Sequence, residues 1–522
     1  MDTPIETLPD DPAALREIIA SLQAQHEHQI SVLFEQIRHL RQLLFGRRSE
    51  KLPADSTTVQ LPLFDLPEPE PIEPARIPVE SHDRKKPGRK VLPPELPRIE
   101  IIHDLPEEEK TCGCGCELSR IGEEVSEQLD IVPARIQVLR HIRPKYACRG
   151  CEGVEDEGPT VRIAPMPPQI IPQSIVSPGL LAHVLTAKFV DHLPLYRQEK
   201  LFARLGVEIG RATMSNWAIK AAEACVPLLN LIHDEILAGK LINIDEPTLQ
   251  VLTEPGRAPT ATSYMWLFRR GDPQRPALLY QYHPTRAGDV ARTFLGEYRG
   301  IVQTDGFSGY DFLDRQAGVR HAGCWAHVRR KFMEVVRAQG KHRTSGSADR
   351  ALATIQQFYG LEKEARVKQW SPSMIATMRA EKARPIMEAF HQWLLKRAAQ
   401  TPPKGLLGKA INYALNQWDR LVVYLDDPIL TPDNNMAENG IRPFVLGRKN
   451  WLFAGTPKGA EASALLYSLI ETAKANNCEP YCYLRHIFEH LPRARTLADH
   501  EALLPWNVDK MNIMLRLGEA VD

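Results

Sequence analysis

From residue 241 onward, the succession of strand-like and helix-like segments restricts what this chain can fold into. Strands are short apolar runs rich in β-branched and aromatic residues, whereas helices show apolar residues at spacings of three and four. The segments that carry these patterns are three successive strands at 241–244, 263–269 and 277–282, a helix at 287–297, and strands at 301–303 and directly before 323. This order predicts a multidomain protein whose main domain is α/β.

Three strands, a helix and a further strand form the opening of the ribonuclease-H-like fold, which we therefore expect for residues 236–476. Residues 326–425 are almost entirely helical in pattern. Because this stretch is too long for a connection inside a compact domain, we predict a helical insertion at about 345–425. Within the main domain we expect a helix that starts near 432, a turn near 447–455 and a long helix at 458–476. We expect a separate C-terminal helical element at 477–522.

The pattern of residues 166–235 predicts a helical region that resembles a helix-turn-helix. Helical patterns at 196–205 and 211–224 flank a turn with glycines at both ends. In such a motif, Arg211 and Asn216 would lie near the exposed start of the second helix, where base edges are read. A small helical bundle without a role in DNA binding is an equally open interpretation.

The N-terminal 52 residues predict a coiled-coil helix. Ile30, Leu33, Ile37, Leu40 and Leu44 alternate spacings of three and four, as the seam of a left-handed coiled coil requires. Residues 53–98 follow with eleven prolines in 46 positions, a composition typical of an extended linker. Because no domain adjoins the helix, we favour self-association into a homo-oligomer over packing on its own chain.

A basic run interrupts the proline-rich linker. The whole chain holds 65 Lys and Arg against 65 Asp and Glu, so only local clusters can indicate a nucleic-acid partner. A flexible cationic arm could bind along DNA phosphates or in a narrow minor groove. A basic run that only keeps a linker solvated would have the same sequence. The candidate DNA-binding residues of this arm are Arg84, Lys85, Lys86, Arg89 and Lys90.

Residues 99–165 predict a small zinc-binding β module, with a strand at 136–146. Five of the nine cysteines fall here, and four thiolates make a closed structural Zn²⁺ site. Redox-inert free thiols are the alternative, and Arg140, Arg143 and Lys145 are candidate phosphate contacts beside the module. The candidate zinc ligands are Cys148, Cys151 and two of the three residues Cys112, Cys114 and Cys116.

Two features bear on where the protein acts. No apolar run approaches the roughly 20 residues that a membrane helix needs. The first 30 residues are polar and acidic, unlike a secretory signal peptide. We therefore expect a cytoplasmic protein without a membrane partner.

Two acids terminate predicted strands in the α/β domain. Asp245 ends the first strand, and Asp305 follows the strand at 301–303. A buried carboxylate is costly unless a cation neutralises it, and paired acids can share divalent ions about 3.5–4 Å apart. An Asp that caps a turn is the alternative for either residue alone. Spacing leaves the third carboxylate open between Glu438 and Glu461, which both lie on predicted helices.

Five segments together carry a resemblance to the transposases of the insertion sequence 66 family. The longest are Pro-Asp-Asn-Asn-Met-Ala-Glu-Asn-Gly-Ile-Arg-Pro at 432–443 and Gly-Arg-Lys-Asn-Trp-Leu-Phe-Ala-Gly at 447–455. Asn-Ile-Asp-Glu at 243–246, Gln-Thr-Asp-Gly-Phe at 303–307 and Gly-Cys-Trp-Ala-His-Val-Arg-Arg-Lys-Phe at 323–332 agree with it. The resemblance covers nearly the whole chain.

The resemblance implies a DDE transposase that cleaves DNA at the ends of an insertion sequence and joins them to target DNA. It implies Asp245, Asp305 and Glu438 as the acidic triad that holds Mg²⁺ or Mn²⁺, and it implies small accessory proteins of the same element as partners. Arg442, Arg448 and Lys449 are candidates for contacts to DNA phosphates, and Cys324 and His327 for a supporting shell. A ribonuclease-H-like nuclease that does not join, and an inactive DNA-binding protein, are the alternatives.

Overall fold

The computed structural model describes residues 136–147, 161–272, 274–339 and 345–515. The predicted coiled coil, the basic arm and the candidate zinc ligands lie outside these residues. The chain divides into two compact units, of which one (residues 66–141) is described only at residues 136–141 and the other comprises residues 1–65 and 142–522. None of the helices in the described ranges is both long and apolar enough to cross a membrane.

The described residues form strands and helices in mixed order, with three short 3-10 segments and one π-helical turn among them. The strands are β1 Lys145–Ala147, β2 Val161–Ile163, β3 Leu241–Asp245, β4 Thr248–Gln250, β5 Thr262–Arg270, β6 Leu278–His283, β7 Gly300–Gln303 and β8 Val319–Ala322. The helices are α1 Pro178–Phe189, α2 Leu195–Arg204, α3 Arg211–Ala224, α4 Val226–Leu237, α5 Asp289–Leu295, α6 Trp325–Ala338, α7 Ser347–Val367, α8 Pro372–Met378, α9 Arg384–Ala398, α10 Leu406–Asn416, α11 Trp418–Leu421, α12 Asn435–Trp451, α13 Pro457–Ala475, α14 Pro480–His490, α15 Leu497–Ala502 and α16 Lys510–Leu515.

The main sheet contains the six strands β3 to β8. Strand β5 pairs antiparallel with β3, with β4 and with β6. On its other side β3 pairs parallel with β7, and β7 pairs parallel with β8. Because β3 and β7 are parallel neighbours, the chain leaves both strands at the same edge of the sheet, where Asp245 and Asp305 lie. The predicted mixed α/β class and the predicted strands and helix of this region are confirmed.

Helix α13 covers the free edge of β6. The Thr472 hydroxyl accepts from the backbone N–H of Leu278 and donates to its carbonyl, both at 3.0 Å. The Ser468 hydroxyl accepts from the N–H of Tyr280 at 2.7 Å. An edge strand otherwise exposes unpaired backbone groups that attract other chains, and these hydroxyls supply the partners.

The helices between residues 347 and 421 pack on α6 through an aromatic core. The Trp325 ring lies 4.8 Å from Phe358 and 5.8 Å from Trp418, measured between ring centroids. The buried Arg379 donates to the carbonyls of Tyr424 and Leu430, at 2.6 and 2.8 Å. These bonds fix the segment that leads into α12. The predicted helical character of this stretch is confirmed, whereas the domain boundaries stay predictions.

One sequence prediction of secondary structure was wrong, and another was confirmed only in part. The turn expected near 447–455 begins after Trp451, because helix α12 continues past Gly447. A side chain at Gly447 would meet Tyr467 Oη at 2.5 Å, so its absence lets α12 pack closely on α13. The strand expected at 136–146 was wrong, since residues 136–144 form no strand and only β1 pairs with β2. Helices α2 and α3 form as predicted, joined through Gly206 with a φ of 82°.

Candidate active site

Three acids from separate elements meet at the edge of the sheet. Asp245 is the last residue of β3, Asp305 lies two residues after β7, and Glu438 belongs to the first turn of α12. Burial, followed by the negative charges of Glu246, Asp305 and Glu438, holds the pKa of Asp245 well above its usual range. The alternative third acid, Glu461, is exposed on α13.

Backbone donors orient the two aspartates. The N–H of Glu246 donates to Asp245 Oδ1, and the N–H of Phe307 donates to Asp305 Oδ1, both at 2.9 Å. Short polar side chains that bond to the backbone one or two residues onward hold tight turns. Each carboxylate is therefore fixed where its strand ends.

A buried amide network ties the start of α12 to the two central strands. Asn243 Nδ2 donates to Gln303 Oε1 at 3.0 Å and to Asn434 Oδ1 at 2.9 Å. Asn434 Nδ2 donates in turn to the carbonyl of Ile244 at 2.8 Å. These three amide side chains are almost completely buried, so their bonds form in a low-dielectric interior where they are strong. The network explains why Glu438 lies beside the strand-end acids.

A fourth carboxylate, Glu246, lies next to the triad and was not singled out from the sequence. Its side chain is fully buried, accepts from the Tyr310 hydroxyl, and accepts from Arg286 Nε at 2.6 Å. The Arg286 guanidinium also lies 3.6 Å from Asp305 Oδ2. Burial and the charge of Asp305 raise the pKa of Glu246 to about 7. The only available sequence signal was its place directly after Asp245.

The residues present fit a divalent metal. Burial raises the pKa of Glu438, and the charges of Asp433 and Asp305 raise it further while Arg330 opposes them. Glu438 Oε1 is buried without a hydrogen-bond partner. A bound cation would relieve the repulsion between these carboxylates and give the unpartnered oxygen of Glu438 a partner. Carboxylate oxygens are also the ligands that Mg²⁺ prefers.

Cys324 and His327 lie at the start of α6 and line the same site. Cys324 is buried, and its Sγ accepts from the backbone N–H of Asn434 at 3.2 Å. His327 Nδ1 lies 3.8 Å from Glu438 Oε1. Burial and the neighbouring Arg330 lower the pKa of His327 to about 4, so the imidazole is neutral at pH 7. Their supporting role stays a prediction.

The predicted DNA-binding residues occupy several surfaces. Arg211 and Asn216 are exposed on the first half of α3. Arg448 donates to the hydroxyl of Thr248 at 2.8 Å and to its carbonyl, which joins α12 to β4. Of the other candidates, Arg442 is half-buried on α12, and Arg140, Arg143, Lys145 and Lys449 are exposed.

Family models match four parts of the chain. A model described as the transposase IS66 family matches residues 173–462, and one described as the zinc-finger binding domain of transposase IS66 matches residues 109–152. The IS66 C-terminal element matches residues 468–506, and a model described as transposase C of IS166 homeodomain matches residues 33–101.

Relatives in Sinorhizobium fredii match most of the chain. The uncharacterized protein y4jD is 32% identical over 96% of this chain and 97% of its own length. The uncharacterized protein y4qI is 30% identical over 97% of this chain and 99% of its own length. A shorter protein, y4aQ, is 38% identical over 35% of this chain and 96% of its own length.

Proposed function

The chain belongs to the IS66 family of transposases, and we propose the reaction that its acid site performs. The protein binds the ends of an insertion sequence, hydrolyses a phosphodiester bond at each end, and joins the freed 3′-hydroxyls to target DNA. The observation that carries the proposal is the convergence of Asp245, Asp305 and Glu438 at one edge of the sheet.

The sheet order supports a ribonuclease-H-like core. Three strands in antiparallel pairs, β3, β5 and β6, are followed by α5 and then by β7 and β8, which run parallel to β3. In this arrangement the acids at the ends of β3 and β7 lie next to each other, and a later helix contributes the third.

Each residue of the site has a role in this reaction. Asp245, Asp305 and Glu438 would hold Mg²⁺ or Mn²⁺, which when bound supplies a Lewis acid and lowers the pKa of a coordinated water. The N–H groups of Glu246 and Phe307 restrict the orientation of the two aspartate carboxylates. Arg286 balances charge beside Asp305.

The remaining modules would bring DNA to this site. We assign a structural Zn²⁺ to Cys148, Cys151 and two of Cys112, Cys114 and Cys116, within the part matched by the zinc-finger family model. The exposed start of α3 would contact the element ends, and the N-terminal helix would pair two copies. Accessory proteins of the same element would assist in the cytoplasm.

A cleavage and joining assay tests the proposal. Purified protein, Mg²⁺ and a DNA fragment that carries the ends of the parent element should yield nicks at the ends and joined products. Asp245→Asn, Asp305→Asn and Glu438→Gln should each lower cleavage by at least about 10³-fold, because each removes a charge that balances the metal. The exposed Glu461→Gln is the matched control and should cleave normally. Near-normal cleavage by a triad variant would contradict its assignment.

A further inference from the structure

Three different donor atoms cluster beside the strand-end acids. The Cys324 sulfur, a ring nitrogen of His327 and a carboxylate oxygen of Glu438 all lie within 4.8 Å of one another. Ligands of a tetrahedral ion at bond lengths of about 2.0–2.3 Å are themselves roughly 3.3–3.8 Å apart. The 3.8 Å between His327 Nδ1 and Glu438 Oε1 already matches this spacing, so small side-chain adjustments would close the cluster.

Two of the three ligand atoms of this cluster have no hydrogen-bond partner among the residues that the structure describes. His327 Nδ1 and Glu438 Oε1 are both buried and lack a hydrogen-bond partner, which is costly for polar atoms. The nearby cation Arg330 lies 3.9 Å from the other carboxylate oxygen, Oε2, and leaves Oε1 to face the imidazole. The N–H of Asn434 that donates to the sulfur is the kind of outer bond that stabilises a metal-bound thiolate.

The chemistry of the donors selects the ion. Thiolate and imidazole ligands favour Zn²⁺, whereas Asp245 and Asp305 offer only the oxygens that suit Mg²⁺. We propose that Cys324, His327 and Glu438 bind a zinc ion of their own, distinct from the zinc of the cysteine module, and that this ion fixes the Glu438 carboxylate, which the zinc would share with the metal held by the aspartates. The binding of zinc does not depend on the proposed transposition reaction; only the positioning role rests on it.

Zinc content of the full-length protein tests the proposal. Protein purified without chelator and kept in millimolar Mg²⁺ is analysed for zinc per chain, beside Cys324→Ser and His327→Gln. Each variant should carry one zinc ion fewer than the wild type, whereas Cys482→Ser, a buried cysteine on α14, should lose none. Equal zinc in the wild type and both variants would overturn the proposal.

Two further measurements separate this site from the cysteine module and from misfolding. Combining Cys324→Ser with Cys148→Ser and Cys151→Ser should remove two zinc ions, since the two sites are independent. In cobalt-substituted protein, Cys324→Ser should lose part of the sulfur-to-cobalt charge-transfer absorption while its circular dichroism melt stays cooperative. An unchanged cobalt spectrum would overturn the proposal.

The positioning role has its own control. Asp245→Asn should retain wild-type zinc while it loses cleavage, so failure of the zinc site and failure of the transposition reaction are read separately. His327→Gln should lower the maximal cleavage rate about tenfold without changing the affinity for DNA. A variant that has lost this zinc but cleaves at the wild-type rate would overturn the positioning role.

Discussion

The acid site and the candidate recognition helix α3 differ in how their polar side chains are held. Around the acids, Asn243, Gln303 and Asn434 are nearly completely buried and bond to one another or to backbone groups. On α3, Arg211 and Asn216 are exposed. Phosphoryl chemistry needs carboxylates in one fixed geometry, whereas reading DNA needs side chains that can reach it. Changes in the first region should therefore alter the reaction rate, and changes in the second the affinity.

Among residues outside the acid triad, the largest effect should follow from Asn434→Ala. It removes the bonds to Asn243 and to the Ile244 carbonyl, so the start of α12 is no longer fixed to β3. We expect cleavage at saturating DNA to fall roughly 10- to 100-fold, with unchanged affinity for DNA. Asn450→Ala, at the exposed end of the same helix, is the matched control. Wild-type cleavage by Asn434→Ala would show that the buried amide network does not position the acids.

Arg286→Gln should have a smaller effect of a different kind. It removes the cation that lies 3.6 Å from Asp305 and bonds to Glu246. Because that cation competes with a metal, we expect the Mg²⁺ concentration for half-maximal cleavage to decrease, while the maximal rate falls about tenfold. The exposed Arg292→Gln on α5 serves as the control. An increased Mg²⁺ requirement would contradict this role of Arg286.

On the recognition side, Arg211→Ala combined with Asn216→Ala should weaken binding to element ends about tenfold. Cleavage at saturating DNA should stay within about twofold, since neither side chain belongs to the acid site. Fluorescence anisotropy with labelled ends measures the affinity, and Lys220→Ala, exposed further along α3, is the control. Equal affinity in wild type and double variant would favour the helical bundle without a DNA role.

The smallest effect concerns the pH dependence of stability without metal. The pKa of Glu246 is raised to about 7 by burial and by Asp305. A raised pKa means that the folded state holds this proton more tightly than the unfolded chain does. The stabilisation of the folded state by this bound proton is therefore fully present below about pH 4.5 and is lost as the pH rises through about 7.

Metal-free wild type should accordingly lose about 1–3 kcal/mol more unfolding free energy than Glu246→Gln between pH 5 and pH 8. Urea denaturation at both pH values measures the difference, and Mg²⁺ should reduce it at pH 8. An equal loss in both proteins would show that Glu246 does not titrate in this range.

The sequence predicted the parts of the site that depend on local pattern. Asp245 and Asp305 could be found because each follows a short apolar strand, and parallel neighbours bring such ends together. The choice between Glu438 and Glu461 could not be made locally. It depends on Asn434, which bonds to residues about 190 positions earlier in the chain.

The interactions that sequence reasoning missed are likewise long-range. Glu246 and Arg286 are 40 positions apart and meet only because β3 and the segment after β6 are folded together. The length of α12 was underestimated because a turn was expected from Gly447 onward, whereas close packing on α13 favours continuation of the helix.

Iron-directed cleavage of the polypeptide tests most directly that the three acids form one metal site. Fe²⁺ replaces the bound metal, ascorbate and peroxide generate hydroxyl radicals there, and mass spectrometry locates the backbone cuts. We predict cuts near Asp245, Asp305 and Glu438 together, all suppressed by excess Mg²⁺ and absent from Asp245→Asn. Cuts confined to one of these segments, or cuts near Glu461 in place of Glu438, would contradict a single metal site formed by these three acids.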